Sequence, residues 1–469
     1  MSLILQGSSE IGLKPCKMIG KTDKSPQLHM YQVPIIQFIN KEHELNQLSE
    51  RINWDEIEQD LAEYYCVDNG RPSIPIRKIV GVVLLKRMFN ESDESVVDRW
   101  KENPYWQHFC GEVNFQHHWP FDPTELIKFR HRMGEKGMER ILKISIDLFE
   151  KKEVQEKYVL VDTTVQEKNI TYPTDPKLQK RIVEKCRAIA KEEGVVLRQS
   201  YKRTLKQLMI DQRFRAHPKR RKKANAAARK IKVIAGRVVR DLERKLNAEQ
   251  LVRYEQELQL FHRVLKQAQK DSNKIYSLHE PEVRCIAKGK EAKKYEFGNK
   301  VSIAKTMKSG IIVGALSFSD NPYDANTLEP QLKQVERLTG KLPKTGIADR
   351  GYRGKKKILG VEIRIPGKLP AKATNYEKQK ARKFFKARAG IEPVIGHVKH
   401  DHRMIRNYLS GTQGDAINTL LAATGFNMMK MLRRIKAKTI AWCQNLHGTI
   451  VHYMNIKIWS RENQWVFQV

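Results

Sequence analysis

Cysteine is scarce and scattered. Six occur in 469 residues (Cys16, Cys66, Cys110, Cys186, Cys285 and Cys443), and no two stand in a C-x-x-C spacing. The lack of that spacing argues against a zinc ribbon and against a disulfide scaffold, so a reducing cytoplasm is the expected compartment. Long apolar runs are missing too. The longest, Ile79–Leu85, falls far short of the ~18–20 residues that cross a bilayer. The first residues lack the charged, apolar and small-residue succession of a secretory signal. These absences predict a soluble cytoplasmic chain with no membrane partner. Acidic residues are in deficit, 53 Asp and Glu against 88 Lys and Arg, for a formal charge of +35. An excess of this size repels itself unless a polyanion offsets it, and nucleic acid is the expected partner. At this length two to four domains are expected.

Residues 1–33 carry Gly, Pro, Ser and Lys without periodicity and are expected to form a flexible arm. From 34 to 153 helical spacing prevails. Ile79, Val82, Val83 and Met88 follow Pro72 and Pro75, Asn90–Asp93 breaks the pattern, and Val96, Val97 and Trp100 begin another apolar face. Two short helices joined by a polar turn are compatible with a helix-turn-helix DNA reader, so this all-α N-terminal region is expected to bind DNA. Phe121–Thr124 caps a further helix.

Strand character begins at Tyr158–Asp162. It resumes far downstream in Gly298–Ala304 and Gly310–Ser317, a hairpin about Met307–Gly310. Next come a helix carrying Leu328, Leu332, Val335 and Leu338 with Asp324 as its cap, strands Thr345–Asp349 and Val361–Ile365, and a helix bearing Glu392. Strand, strand pair, helix, strand, strand, helix is the order of an RNase H-like α/β domain with a mixed sheet, here over 154–175 and 286–410. The interruption at 176–285 is helical, with Asp175 and Pro176 as N-cap and N1 and Gly194 as a stop. Within it, Ile231, Ile234, Val238, Leu242 and Leu246 make one stripe. Leu251, Tyr254, Leu258, Phe261, Leu265 and Ala268 step by alternating threes and fours, predicting a coiled-coil hairpin. Across 201–223 ten cations face only Asp211, with Tyr201, Phe214 and His217 among them. Lys219, Arg220, Arg221, Lys222 and Lys223 are the candidate phosphate contacts there. After 411, Ile417, Leu420, Leu421, Phe426 and Met428 give a final amphipathic helix in a C-terminal helical region, 411–469.

Three acids stand out. Asp162 ends the apolar run from Tyr158, Asp349 ends Gly346–Ala348, and Glu392 sits in the segment Arg388–Lys399. A carboxylate at the end of a core strand projects from a rigid platform. Three converging would bind hard divalent cations through oxygen, and two such ions serve both sides of an in-line phosphoryl displacement. Phe385, Arg388, Glu392 and Lys399 share one helical stripe, so Arg388 and Lys399 are placed to clamp DNA phosphates. Pro393 predicts a kink, or a helix start, beside Glu392. Asp324 and Asp320 are explained as a helix cap and a turn residue. The His397, His400, Asp401, His402 group is expected to face DNA or solvent rather than zinc.

Arg388-x3-Glu392-x6-Lys399, following Asp162–Asp175 and Ile347–Tyr352, resembles bacterial insertion-sequence DDE transposases of the families numbered four and five. Their signature is Tyr-x2-Arg-x3-Glu-x6-Lys, and Phe385 stands at the tyrosine position. The segment from Pro72 to about Phe149 resembles their amino-terminal domain. The resemblance implies an RNase H-like core in which Asp162, Asp349 and Glu392 ligate two Mg²⁺ ions, with Mn²⁺ able to substitute. It implies double-stranded DNA as partner, cut at terminal inverted repeats and joined through its 3′ ends to target DNA. A homodimer associated with the bacterial nucleoid is implied as well. The rival readings are an RNase H-fold nuclease or resolvase without strand transfer, and a non-catalytic DNA-binding protein.

Overall fold

The computed structural model describes residue 20 and residues 33–66, 72–213, 215–268, 271–287, 294–354, 356–366 and 373–463, with side chains to residue 440 apart from 380. The expected arm therefore lies outside the described residues except for Gly20 and Val33, as does Phe214. The chain is α/β, with many helices around one mixed sheet.

Eight helices come first: α1 (Ile35–Phe38), α2 (Glu44–Arg51), α3 (Trp54–Ala62), α4 (Ile76–Met88), α5 (Asp93–Glu102), α6 (Pro104–Phe109), α7 (Thr124–Asp147) and α8 (Lys151–Val154). Side-chain caps mark the starts of α2, α3, α5 and α6. Ser92 and Ser95 form a reciprocal capping box at α5, and Asp122 Oδ1 accepts from Thr124 N at 2.8 Å ahead of α7. Helix α4 is buried nearly all round rather than along one stripe. The solvent side of α5 carries Glu94, Asp98 and Glu102 against Arg99, a charge pattern that suits phosphates poorly. The α4–α5 pair is thus a core corner, pinned where Arg130 of α7 grips Asp93 through both carboxylate oxygens (2.9 and 2.8 Å).

The central strand, β1 (Tyr158–Lys168), runs six residues past Asp162, so the acid lies within the strand and not at its end. The polar second half persists as β structure because its side chains find partners. Gln166, fully buried, donates to the Asp415 carbonyl (3.1 Å) and accepts from Asn418 (2.7 Å). Lys168 Nζ meets the carboxylates of Asp415 (3.0 Å) and Glu280 (3.2 Å).

A helical insertion follows: α9 (Asp175–Glu192), α10 (Lys202–Gln212), α11 (Arg221–Glu243), α12 (Ala248–Arg253) and α13 (Glu255–Lys266). It has its own apolar core, built from α9, α10, α11 and α13. This is a helical cluster rather than the expected two-helix coiled coil, since the heptad-like run from Leu251 is broken at Tyr254 and α11 leans on α9 and α10. Thr174, not Asp175, occupies the N-cap of α9; Asp175 instead bridges Lys274 at 2.9 Å.

Then come β2 (Arg284–Ala287), β3 (Tyr295–Thr306), β4 (Ile312–Phe318), α14 (Leu328–Thr339), β5 (Thr345–Ile347), β6 (Lys357–Ile358), β7 (Val361–Arg364), α15 (Asn375–Ala389), α16 (Ile391–His400), β8 (Arg406–Asn407) and α17 (Gly411–Asn463). The sheet order is β2-β3-β1-β5-β7-β6, with β4 also on β3 and β8 also on β1. Strand β1 is antiparallel to β3 and parallel to β5. Gly298 is required where β3 crosses β1, because a Cβ there would fall 1.9 Å from the Gln166 carbonyl oxygen.

Helix α17 is not an amphipathic appendage. Residues 414–428 are buried without interruption, and the helix packs between α4, α7 and β4, joining the N-terminal helices and the sheet in one core. Its Asn427 side chain accepts from Ile312 N (3.0 Å) and donates to Ile312 O (2.9 Å), completing the edge of β4. Cys110, Cys186 and Cys285 are free thiols, whereas Cys66 is disulfide-bonded, a departure from the expected reduced cysteines. Among the described residues no helix is long and apolar enough to cross a membrane.

Burial pushes the Asp415 carboxyl up to about 6, against the pull of Lys168. The folded chain therefore takes up a proton between about pH 6 and 4 that the unfolded chain does not. This group's stabilising contribution is full below about pH 4 and is lost as pH rises through 6. Urea unfolding of the wild type and Asp415→Asn across this range should show the variant gaining, relative to wild type, by roughly 2–3 kcal/mol between pH 4 and 7.

Candidate active site

Strand register brings the first two acids together. In the parallel pairing of β1 with β5, Leu160 stands opposite Ile347. Two residues on from each are Asp162 and Asp349, and a period of two keeps Asp162 on the face that Leu160 uses. Leu160 and Ile347 make a small apolar cluster with Ile391, the first residue of α16, and with the partly buried Phe384 and Ile395. That cluster seats Glu392, next after Ile391, over the same face.

The three carboxylates meet on one cation. Arg388 Nη2 lies 3.2 Å from Asp162 Oδ2 and 3.7 Å from Asp349 Oδ2, and Nη1 lies 3.0 Å from Glu392 Oε1. Asp162 is almost buried; Asp349 is about a third exposed and Glu392 open to solvent. Backbone amides help hold the pair, Thr163 N donating to Asp162 Oδ1 and Gly351 N to Asp349 Oδ1, each at 2.8 Å.

The helix bearing Arg388 and Glu392 is broken between them. Helix α15 ends at Ala389, Gly390 links, and α16 starts at Ile391, so Pro393 sits in a first turn where its missing N–H costs nothing. Lys305 of β3, buried, donates from Nζ to the Gly390 carbonyl at 2.7 Å and ties the break to the sheet.

A fourth carboxylate belongs here. Asp324 makes no cap bond to α14; it accepts from Thr163 Oγ1 and from Lys300 Nζ, both at 2.9 Å. Gly351 separates it from Asp349: a Cβ there would lie 2.9 Å from Asp324 Oδ2 and 3.0 Å from Asp349 Oδ1. Tyr352 is fully buried beneath, its phenol raised well above its ordinary range by burial and by the charges of Asp162 and Asp324. The sequence offered one signal for this group, the Asp-Asn-Pro-Tyr-Asp turn after β4, which reads equally well as a turn and a cap.

Lys399 is half-buried on α16, two turns beyond Glu392. Lys219, Arg220, Arg221, Lys222 and Lys223 are exposed at the start of α11, on the insertion, with Lys223 paired to Asp211 at 2.9 Å. His397 pairs with Asp401, and His402 is buried with Nδ1 donating to the Arg87 carbonyl.

The donor set is all oxygen, which suits Mg²⁺ or Mn²⁺. As it stands the set is closed around a guanidinium, and among the described residues no group of three or more acidic, histidine or cysteine side chains is disposed to hold a metal ion. The chemistry of the donors fits such ions once Arg388 withdraws.

Residues 33–132 match the family model described as transposase domain (DUF772), and residues 266–428 match the transposase DDE domain. Asp349 and Glu392 fall inside the second match; Asp162 lies upstream, across the insertion. The chain is 39% identical over 184 residues to an uncharacterized protein, ORF8 in the nfe locus, of Rhizobium meliloti, an alignment covering 38% of this chain and 88% of that protein. No solved structure matches. The chain belongs to the insertion-sequence DDE transposases. Proteins of this class are DNA-transposing nucleases and transferases, and they act on DNA.

Replacing Lys305 by Met removes the tie on Gly390. Amide hydrogen exchange across residues 388–394 should then quicken while the unfolding midpoint changes little, because a buried charge leaves with the hydrogen bond. Unchanged exchange there would assign the break to other contacts.

Proposed function

We propose that this transposase cuts DNA at the terminal inverted repeats of its element and joins the freed 3′ ends to target DNA, acting as a homodimer from an RNase H-like core. One observation carries the reading: three acids from separate segments, Asp162, Asp349 and Glu392, converge on the Arg388 guanidinium. Asp162, Asp349 and Glu392 would hold two Mg²⁺ ions, or Mn²⁺ in their place. Bound there, the ions supply charge stabilisation for the attacking and leaving oxygens of an in-line displacement.

The chain's own residues do the rest. Arg388 bridges the three acids and offsets part of their charge in the DNA-free protein, and transfers to a phosphate beside the scissile bond when DNA arrives, exchanging one set of charge-assisted bonds for another. Lys399 holds a second phosphate along α16, and Lys219–Lys223 on the insertion grip the backbone farther out. Asp324, already bonded to Thr163 and Lys300, fixes the floor next to Asp162 and Asp349.

Asp162→Asn and Glu392→Gln should each abolish Mg²⁺-dependent nicking and strand transfer of an inverted-repeat duplex, while gel-shift affinity for that duplex stays within about threefold. Joint loss of binding and cutting would remove the three acids from the chemistry. Cleavage by the wild type with no joined product would favour the nuclease or resolvase reading.

Arg388→Ala makes a second test. Metal and guanidinium compete for the same oxygens, so the variant should bind Mn²⁺ more tightly without DNA, by about fivefold or more in calorimetric titration. It should also bind DNA more weakly. Equal Mn²⁺ affinities in variant and wild type would show that Arg388 does not guard the acids.

A further inference from the structure

A second cationic feature lies away from the acids, in a cleft of about 1220 Å³ between α8, the β3–β4 turn, the start of β1 and α17. Both acids in its lining are already committed. Glu156 accepts from the backbone amides of Lys308 (2.8 Å) and Ser309 (2.6 Å), closing the hairpin turn. Glu153 takes both terminal nitrogens of Arg434 (2.9 and 2.5 Å). Lys308, Lys430 and Arg433 make no ion pair with a carboxylate among the described residues.

Lys430 is half-buried. A Cβ at Gly310 would lie 3.4 Å from Lys430 Nζ and 3.9 Å from Lys305 Nζ, so both ammonium groups reach the same turn. Burial, then the charges of Arg434 and Arg433, push the Lys430 ammonium below its ordinary range; burial and Lys430 do the same to Lys305. Partly buried positive charge of this kind is unfavourable in the free protein, and an anion entering the cleft beside Lys430 would offset it.

We propose that this cleft binds the phosphate backbone of a DNA strand through Lys430, Arg433 and Lys308, at a subsite separate from the acids. The proposal rests on the DNA-transposing reading of the chain. Three features favour a strand over a small anion. The space exceeds the ~300–1,000 Å³ typical of small-ligand pockets. The cations are spread over two elements rather than focused on one point. The half-buried Met429 lines the same cleft over the buried Phe149 and Phe426, giving it a partly apolar wall. The cleft and the acid cluster are built partly on the same two elements. Tyr158 and His397 line it, on the same β1 and α16 that carry Asp162 and Glu392, and Tyr158 is four residues, about 13 Å, from Asp162 along the strand.

The test is the salt dependence of single-stranded oligonucleotide binding by the full chain, read by fluorescence anisotropy. Each lost phosphate contact lowers the slope of log K against log salt by about 0.7. The Lys430→Met, Arg433→Gln double variant should lose about 1.4 from the slope and bind at least about tenfold more weakly in low salt, while its DNA-free unfolding midpoint rises. Arg433 is exposed, so Arg433→Gln alone provides a variant whose folding is not at risk, with an expected loss of about 0.7. An unchanged slope in both variants would overturn the subsite and leave the transposase reading intact. A wild type that binds no oligonucleotide would overturn the subsite, while the transposase reading is decided separately by nicking of the inverted-repeat duplex. Capture of inorganic phosphate by the wild type and not by the double variant, with the oligonucleotide slope unchanged, would replace the strand by a free anion.

Discussion

Negative charge gathered at one place has to be balanced, and around β1 that requirement organises the neighbourhood. Asp162, Asp349 and Glu392 share Arg388, and Asp324 takes Lys300. Neither cation is local in sequence to most of what it neutralises. Arg388 reaches the sheet from α15, and Lys300 reaches across from β3. The parallel register of β1 with β5 creates the problem by setting two acids side by side, and the apolar contact of Ile391 with Leu160 and Ile347 brings in the third. Part of the cost of assembling the acids is therefore offset within the DNA-free chain, by a side chain whose fork geometry suits a phosphate equally well.

A similar logic runs through the polar half of β1. Gln166 and Lys168 are almost wholly buried, which is affordable only because α17 and the 407–415 segment offer carbonyls and carboxylates at hydrogen-bonding distance. Helix α17 thus does two jobs. Its apolar side chains close the joint between the N-terminal helices and the sheet, and its Asn418 and Asn427 satisfy polar groups that the sheet leaves over.

Much of this was legible before the fold was seen. The three acids stood out because each follows an apolar run or sits beside cations at helical spacing, and the hairpin, the α14 stripe and the break near Pro393 were each written locally. What escaped depends on register and on partners far away in the chain. Strand β1 read as ending at Asp162 because the next residues are polar, yet their partners lie some 250 residues on. Asp324 read as a cap because nothing local reveals Thr163 and Lys300 beside it. Helix α17 read as amphipathic because its small and polar residues, among them Thr424 and Asn427, do not look buried until their hydrogen bonds are known. The run after Leu251 kept a coiled-coil rhythm that the turn at Tyr254 interrupts.

The helical insertion leaves β1 and returns to the sheet through neighbouring points. Asp175 at its entry is bonded to Lys274 and Gln267 near its exit, and its apolar core is separate from that of the sheet. A module stapled shut at its own base is mechanically insulated from its host. Its length and surface can change over generations, or be exchanged in the laboratory for another hairpin of the same footprint, while the strand bearing Asp162 feels only the two closely spaced ends.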